Sequence, residues 1–118
     1  MEDRKIFVTS VFERSIKKLA KRFRSIKDTY KQLLLDLQSD TEVGEEIQGH
    51  QNFYKARYQN PEAGKGKSGG FRVIFHFDHK AKKKLVILVD IYSKTSQETV
   101  NWDRVKRAMA ELEENEEE

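Results

Sequence analysis

FRVIFHFDHKAKKKLVILVDIY, residues 71–92, is the stretch whose reading decides the fold. Its first seven residues alternate. Phe71, Val73, Phe75 and Phe77 share one face of a strand, and Arg72, Ile74 and His76 share the other. Residues 78–84, DHKAKKK, read as a charged hairpin turn. Residues 85–92 are apolar on both faces apart from Asp90 and Tyr92, which marks an interior strand. Upstream, FYKARY (53–58) alternates in the same way, with Phe53, Lys55 and Arg57 on one face and Tyr54, Ala56 and Tyr58 on the other. The three segments predict an antiparallel meander. The loop 59–70 between the first two carries the only proline and ends in GKGKSGG (64–70).

Working outward, Arg4 to Thr9 reads as a short first strand. Ser10 and Glu13 form an S-x-x-E capping box, the mark of a helix start. Phe12, Ile16, Leu19, Ala20 and Phe23 then recur with helical spacing. The opposite face carries Arg14, Lys17, Lys18, Lys21 and Arg22. Ser25 is a second cap, followed by Ile26, Tyr30, Leu33, Leu34 and Leu37 at the same spacing. Two such helices with a break at Arg24–Ser25 predict a helical hairpin whose apolar stripes need a sheet to cover them. Residues 38–52 are polar, with two glycines, and read as a loop. Downstream, Thr95 and Glu98 give another cap signal, with Asn101 as the alternative. Trp102, Val105, Met109 and Leu112 line a last helix. The expected fold is α+β: an antiparallel twisted sheet of about four strands on an N-terminal helical hairpin, with a short C-terminal helix. Residues 1–112 read as one domain and 113–118, EENEEE, as a disordered acidic tail.

The chain of 118 residues suits a single domain. It has no cysteine, which excludes disulfides, thiolate nucleophiles and Cys-based zinc sites and fits a cytoplasmic protein. His50, His76 and His79 are too few and too scattered for a metal centre. No apolar run is long enough to cross a membrane. The net charge of +3 hides a strong asymmetry. Residues 53–94 hold ten Lys/Arg against three Asp/Glu, and residues 95–118 hold three against eight. A cationic middle third points to a polyanionic partner, usually nucleic acid.

Strand parity places Arg72 away from the aromatic face. If the helices cover that aromatic face, Arg72 stands on the open one. In a suitable register Lys55, Arg57, Tyr92 and Lys94 join it. Such a cluster is either a solvated outer face or a phosphate site. Like charges opposite each other on strands are destabilising, and a phosphate would relieve the repulsion. The GKGKSGG loop lacks P-loop spacing and precedes a strand, so it is not a nucleotide cradle. Lys65, Lys67 and Ser68 are suited instead to contacts with a nucleic-acid backbone. Lys17, Lys18 and Lys21 form either a solvated helix face or a second RNA contact.

The order of first strand, helical hairpin, YKAR, GKGKSGGFRVIF and VDIYSKTSQE resembles the RelE/HigB-like toxins of type II toxin–antitoxin systems. The last two motifs resemble the HigB-type branch most. The likeness covers roughly residues 5–110. It implies a ribosome-dependent mRNA endonuclease that cuts in the A site by attack of a ribose 2′-OH on the adjacent phosphate. It implies no metal and no cofactor, and two partners: the ribosome with its mRNA, and a helix-turn-helix antitoxin. Lys55 and Arg57 match the family's basic strand pair, Arg72 the arginine after the glycines, and Lys94 a basic position ending the last core strand. Asp90 and Tyr92 match an acid–aromatic pair implicated in the HigB type. The family's tyrosine beyond the last basic position is Val100 here. The candidate roles are Arg72 on the phosphate, Lys55 as general base, and Tyr92 or Lys94 as proton donor. The alternative is a non-catalytic RNA-binding or antitoxin-binding relative.

Overall fold

The pair formed by the opening stretch is present, and everything else is arranged around it. The computed structural model describes residues 4–39, 43–63 and 69–116. Its elements are β1 (Lys5–Val8), α1 (Ser10–Ala20), α2 (Ile26–Gln38), β2 (Glu45–Glu46), β3 (Phe53–Tyr58), β4 (Phe71–Phe77), β5 (Leu85–Ser93) and α3 (Trp102–Glu116). The fold is α+β, as the periodicities predict. The sheet has five strands in the order β1-β5-β4-β3-β2.

Two features depart from the expected four-stranded antiparallel sheet. β1 pairs with β5 in parallel, with Lys5 opposite Leu85 and Val8 opposite Leu88. Pairing direction is set by where the intervening chain returns, and the Ile6/Val8 alternation is the same for either direction. The second feature is β2, two residues inside the expected loop, which pairs with β3. Gly44, just before it, has φ +72°, and a Cβ there would lie 2.7 Å from the Lys55 carbonyl oxygen. A glycine is therefore required for the chain to come so close to β3.

The helix caps are equally specific. Thr9, not Ser10, caps α1: its hydroxyl oxygen accepts from the Phe12 N–H at 3.2 Å. The same hydroxyl donates to the Leu88 carbonyl at 2.8 Å, which ties the cap to β5. Ser10 is claimed by Glu111 of α3, whose carboxylate accepts from its N–H at 2.9 Å and from its hydroxyl at 2.8 Å. At α3 the alternative cap prevails, because Asn101 Oδ1 accepts from the Arg104 N–H at 3.3 Å. The helix then continues past Leu112 to Glu116, into the segment expected as a tail.

Two apolar layers sandwich the sheet. On one side Phe71, Val73, Phe75 and Phe77 meet Phe12, Phe23, Ile26, Leu33 and Leu37 of the α1–α2 hairpin region. This is the aromatic face read from the sequence. Apolar burial at about 25 cal/mol per Å² makes this layer the main source of stability. On the other side Ile74, Ile87 and Val89 pack under Val105 and Ala108 of α3, with Trp102 and Phe53 at the margin. The second face is thus not open along its length. The apolar stripe of α3 had to be buried somewhere, and it takes the half of this face that carries Ile74 and His76. The other half, around Arg72, is where the functional residues gather.

Candidate active site

The register of three strands builds the site. Arg57 lies directly opposite Arg72, and Arg72 lies directly opposite Tyr92. Paired residues project to the same face, so the three side chains form one row across β3, β4 and β5. Neighbouring strands are about 4.8 Å apart, so the row spans roughly 10 Å. Lys55, opposite Ile74, sits one step along β3 on the same face. Lys55 also lies opposite Glu45 of β2, an acidic neighbour hidden in the loop at the level of sequence.

Arg72 is 5% exposed rather than standing free in solvent. Its Nη1 donates to the carbonyl of adjacent Phe71 at 3.3 Å. Among the described residues no carboxylate pairs with Arg72 or with Arg57. Burial lowers the Arg72 pKa, and the Arg57 charge lowers it further, with Tyr92 acting in the opposite sense. Tyr92 is also buried, and burial pushes its phenol pKa up, against the pull of Arg72 and Arg57 and together with Asp90. At neutral pH the row is two guanidinium ions and one intact phenol. This arrangement grips an anion and keeps a proton donor beside it.

Asp90 is not free to complete the row. A bulge in β5 aligns Ile74 with Asp90 but Phe75 with Leu88, leaving Val89 as the extra residue. Val89 enters the second core, and the Asp90 carboxylate turns to α1 and α3. It accepts from Arg104 Nε at 3.0 Å and from the Ser15 hydroxyl at 2.6 Å. Its own Oδ1 also accepts from the Ile91 N–H at 2.9 Å. Asp90 is 2% exposed, with both carboxylate oxygens hydrogen-bonded. The acid that would neutralise Arg72 is spent on Arg104 instead.

Lys94 is likewise diverted. Its backbone N–H donates to the Gly70 carbonyl at 2.9 Å, and its ammonium donates to the Glu98 carbonyl in the β5–α3 connection. That contact directs it to the loop and not to the row. Gly70 itself fixes the start of β4. A Cβ there would lie 2.0 Å from the Tyr58 carbonyl oxygen, so only glycine permits this approach one residue before Phe71. Lys65, Lys67 and Ser68 lie outside the described residues. Lys17 and Lys18 of α1, and Lys21 just past its end, are all exposed.

A groove of about 470 Å³ adjoins the row. Arg14 and Lys18 of α1 and Arg22 of the turn after it line the groove, together with Arg104 of α3, Tyr92 and Asp90. Lys18 is therefore separated from Lys17 and Lys21, which do not line it. The four-residue spacing of Arg14, Lys18 and Arg22 was visible in the sequence. Arg104 was not, because its place depends on the α3 packing. A second cavity, about 370 Å³, lies beyond the opposite face among Leu37, Tyr54, Phe75 and Phe77. It has no part in the row. Among the described residues no group of His, Asp and Glu could hold a metal ion, and no helix is long and apolar enough to cross a membrane.

No protein-family model matches the chain, and no curated protein matches it significantly. Among solved structures it is similar to the E. coli toxin RelE, a mutant form in the free state. The two share 12% sequence identity over 94% of this chain and 99% of that one, with a TM-score of 0.57. At that identity the likeness concerns the path of the backbone: this chain has the fold of the RelE toxin.

Proposed function

We propose that this protein is the toxin of a type II toxin–antitoxin system, of the HigB type, and that it cleaves mRNA on the ribosome. The observation that carries the reading is the Arg57–Arg72–Tyr92 row, two cations opposed without an acid between them and with a phenol at the end. The RelE-like fold supports it. In this mechanism the substrate phosphodiester lies on Arg72, with Arg57 beside it. Lys55 removes the proton of the 2′-OH, the O2′–P bond forms, and the P–O5′ bond breaks. Tyr92 protonates the departing 5′ oxygen. The products are a 2′,3′-cyclic phosphate and a 5′-OH. The phosphate gains charge in the transition state, and the fixed guanidinium groups stabilise it without reorganising. The ribosome presents the mRNA, a helix-turn-helix antitoxin covers the row, and the site of action is the cytoplasm.

The test is mRNA cleavage on purified translating ribosomes. Arg72→Ala should lower the cleavage rate about 10²–10³-fold, the usual effect of losing one such donor. A wild-type rate in that variant would remove Arg72 from the mechanism. A second reading, a non-catalytic RNA-binding or antitoxin-binding relative, is favoured by one observation: Asp90 is consumed by Arg104 and Ser15. Wild-type protein that binds ribosomes without cutting mRNA would select it.

A further inference from the structure

The basic groove beside the row is unused by the reaction chemistry. Arg14 and Lys18 of α1 and Arg22, two residues past its end, recur every fourth residue, so they form one stripe along the helix and the turn that follows it. A linear array suits a strand of phosphates better than a single anion. Arg104 faces the stripe, and Asp90 is the acid in the wall. Asp90 is buried and already paired, so the groove presents a net positive surface. Arg22 Nη1 donates to the Ser96 hydroxyl at 3.2 Å, which joins the turn after α1 to the β5–α3 connection across one end. Tyr92 belongs both to the groove and to the row.

We propose that the groove between α1 and α3 is the track for the RNA strand flanking the reacting phosphate, with Arg14, Lys18, Arg22 and Arg104 holding successive backbone phosphates. This rests on the reading of the row as an RNA-cleaving site. A strand whose phosphate lies on Arg72 passes over Tyr92 and enters the groove directly. Positively charged grooves that follow the backbone are how single strands are generally held. The contact is independent of base identity, so it contributes affinity and register and leaves sequence choice to other groups.

The experiment uses a short single-stranded 2′-O-methyl RNA, which lacks the attacking hydroxyl and cannot be cut. Its affinity for the full chain is measured by fluorescence anisotropy over a range of salt. Lys18→Gln with Arg22→Gln should weaken binding about tenfold and shrink the salt slope by about 1.4, two phosphate contacts at about 0.7 each. Lys27→Gln with Lys31→Gln removes the same charge at the same spacing from α2, outside the groove, and should leave the slope unchanged. Equal losses in the two pairs would mean general charge attraction and overturn the proposal. So would absence of RNA binding by the wild type, or a groove that takes an acidic peptide in preference to RNA. Cleavage is not needed for any of these outcomes. Groove-dependent binding without ribosomal cleavage would reject the endonuclease while keeping the track, and cleavage with groove-independent binding would do the reverse.

Discussion

Arg57 and Arg72 stand directly opposite each other on adjacent antiparallel strands, and no carboxylate among the described residues pairs with either. Opposed like charges on a sheet are destabilising, so the protein carries a local cost at this point. Arg57→Gln should therefore raise stability by about 0.2–1 kcal/mol in denaturant unfolding. The same variant should cut mRNA more slowly. A loss of stability would show that Arg57 is held by contacts that outweigh the repulsion.

Asp90 distinguishes an organising role from a chemical one. Its carboxylate holds Arg104 and Ser15, and Arg104 is partly exposed, which moderates the cost of separating them. Asp90→Asn should cost about 2 kcal/mol of stability, measured by urea unfolding. Any fall in cleavage should follow from displacement of Arg104. Unchanged stability combined with a hundredfold loss of cleavage would instead place Asp90 in the reaction.

Gly70→Ala puts a methyl group against the Tyr58 carbonyl oxygen, which cannot withdraw without breaking the β3–β4 ladder. The expected loss is roughly 2–4 kcal/mol, at the upper end of ordinary single substitutions. Thermal unfolding measures it. A variant with wild-type stability would mean that β4 starts from a different backbone position.

His76 lies half-buried against the edge of Phe53, and its Nδ1 has no hydrogen-bond partner. Burial lowers its pKa below the ordinary 6.5, with nearby Asp78 opposing the shift. The unfolded chain then binds the proton first as pH falls. Stability should be full above pH 6.5 and decline as pH drops below that value, levelling off once the folded form is also protonated. His76→Gln should remove that component of the acid limb in unfolding measured at successive pH values. A limb identical in the two proteins would assign the decline to carboxylates.

Much of this was legible in residue patterns. The period-two alternation of 53–58 and 71–77 gave the face of every side chain, and hence the company of Arg57 and Arg72. The helical spacing of Phe12 to Phe23 and of Ile26 to Leu37 gave the hairpin. Contacts between distant segments were not legible. Thr9 displaced Ser10 as the α1 cap because Glu111, far along the chain, takes Ser10. The Asp90 carboxylate was lost to the row because Arg104 of α3 and Ser15 of α1, both remote in sequence, engage it. Neither the bulge nor the parallel direction of β1 leaves a trace in local periodicity.

The parallel pairing of β1 also has a temporal meaning. Lys5 finds its partner at Leu85, so the first strand made is among the last to be seated. Contacts of such sequence separation carry the loop-closure cost that slows folding. Synthesis proceeds from the N-terminus, and Val8 has to wait until Leu88 has left the ribosome exit tunnel. Tyr92 lies four residues further on. The row of Arg57, Arg72 and Tyr92 is therefore absent from every nascent chain until the sheet can close.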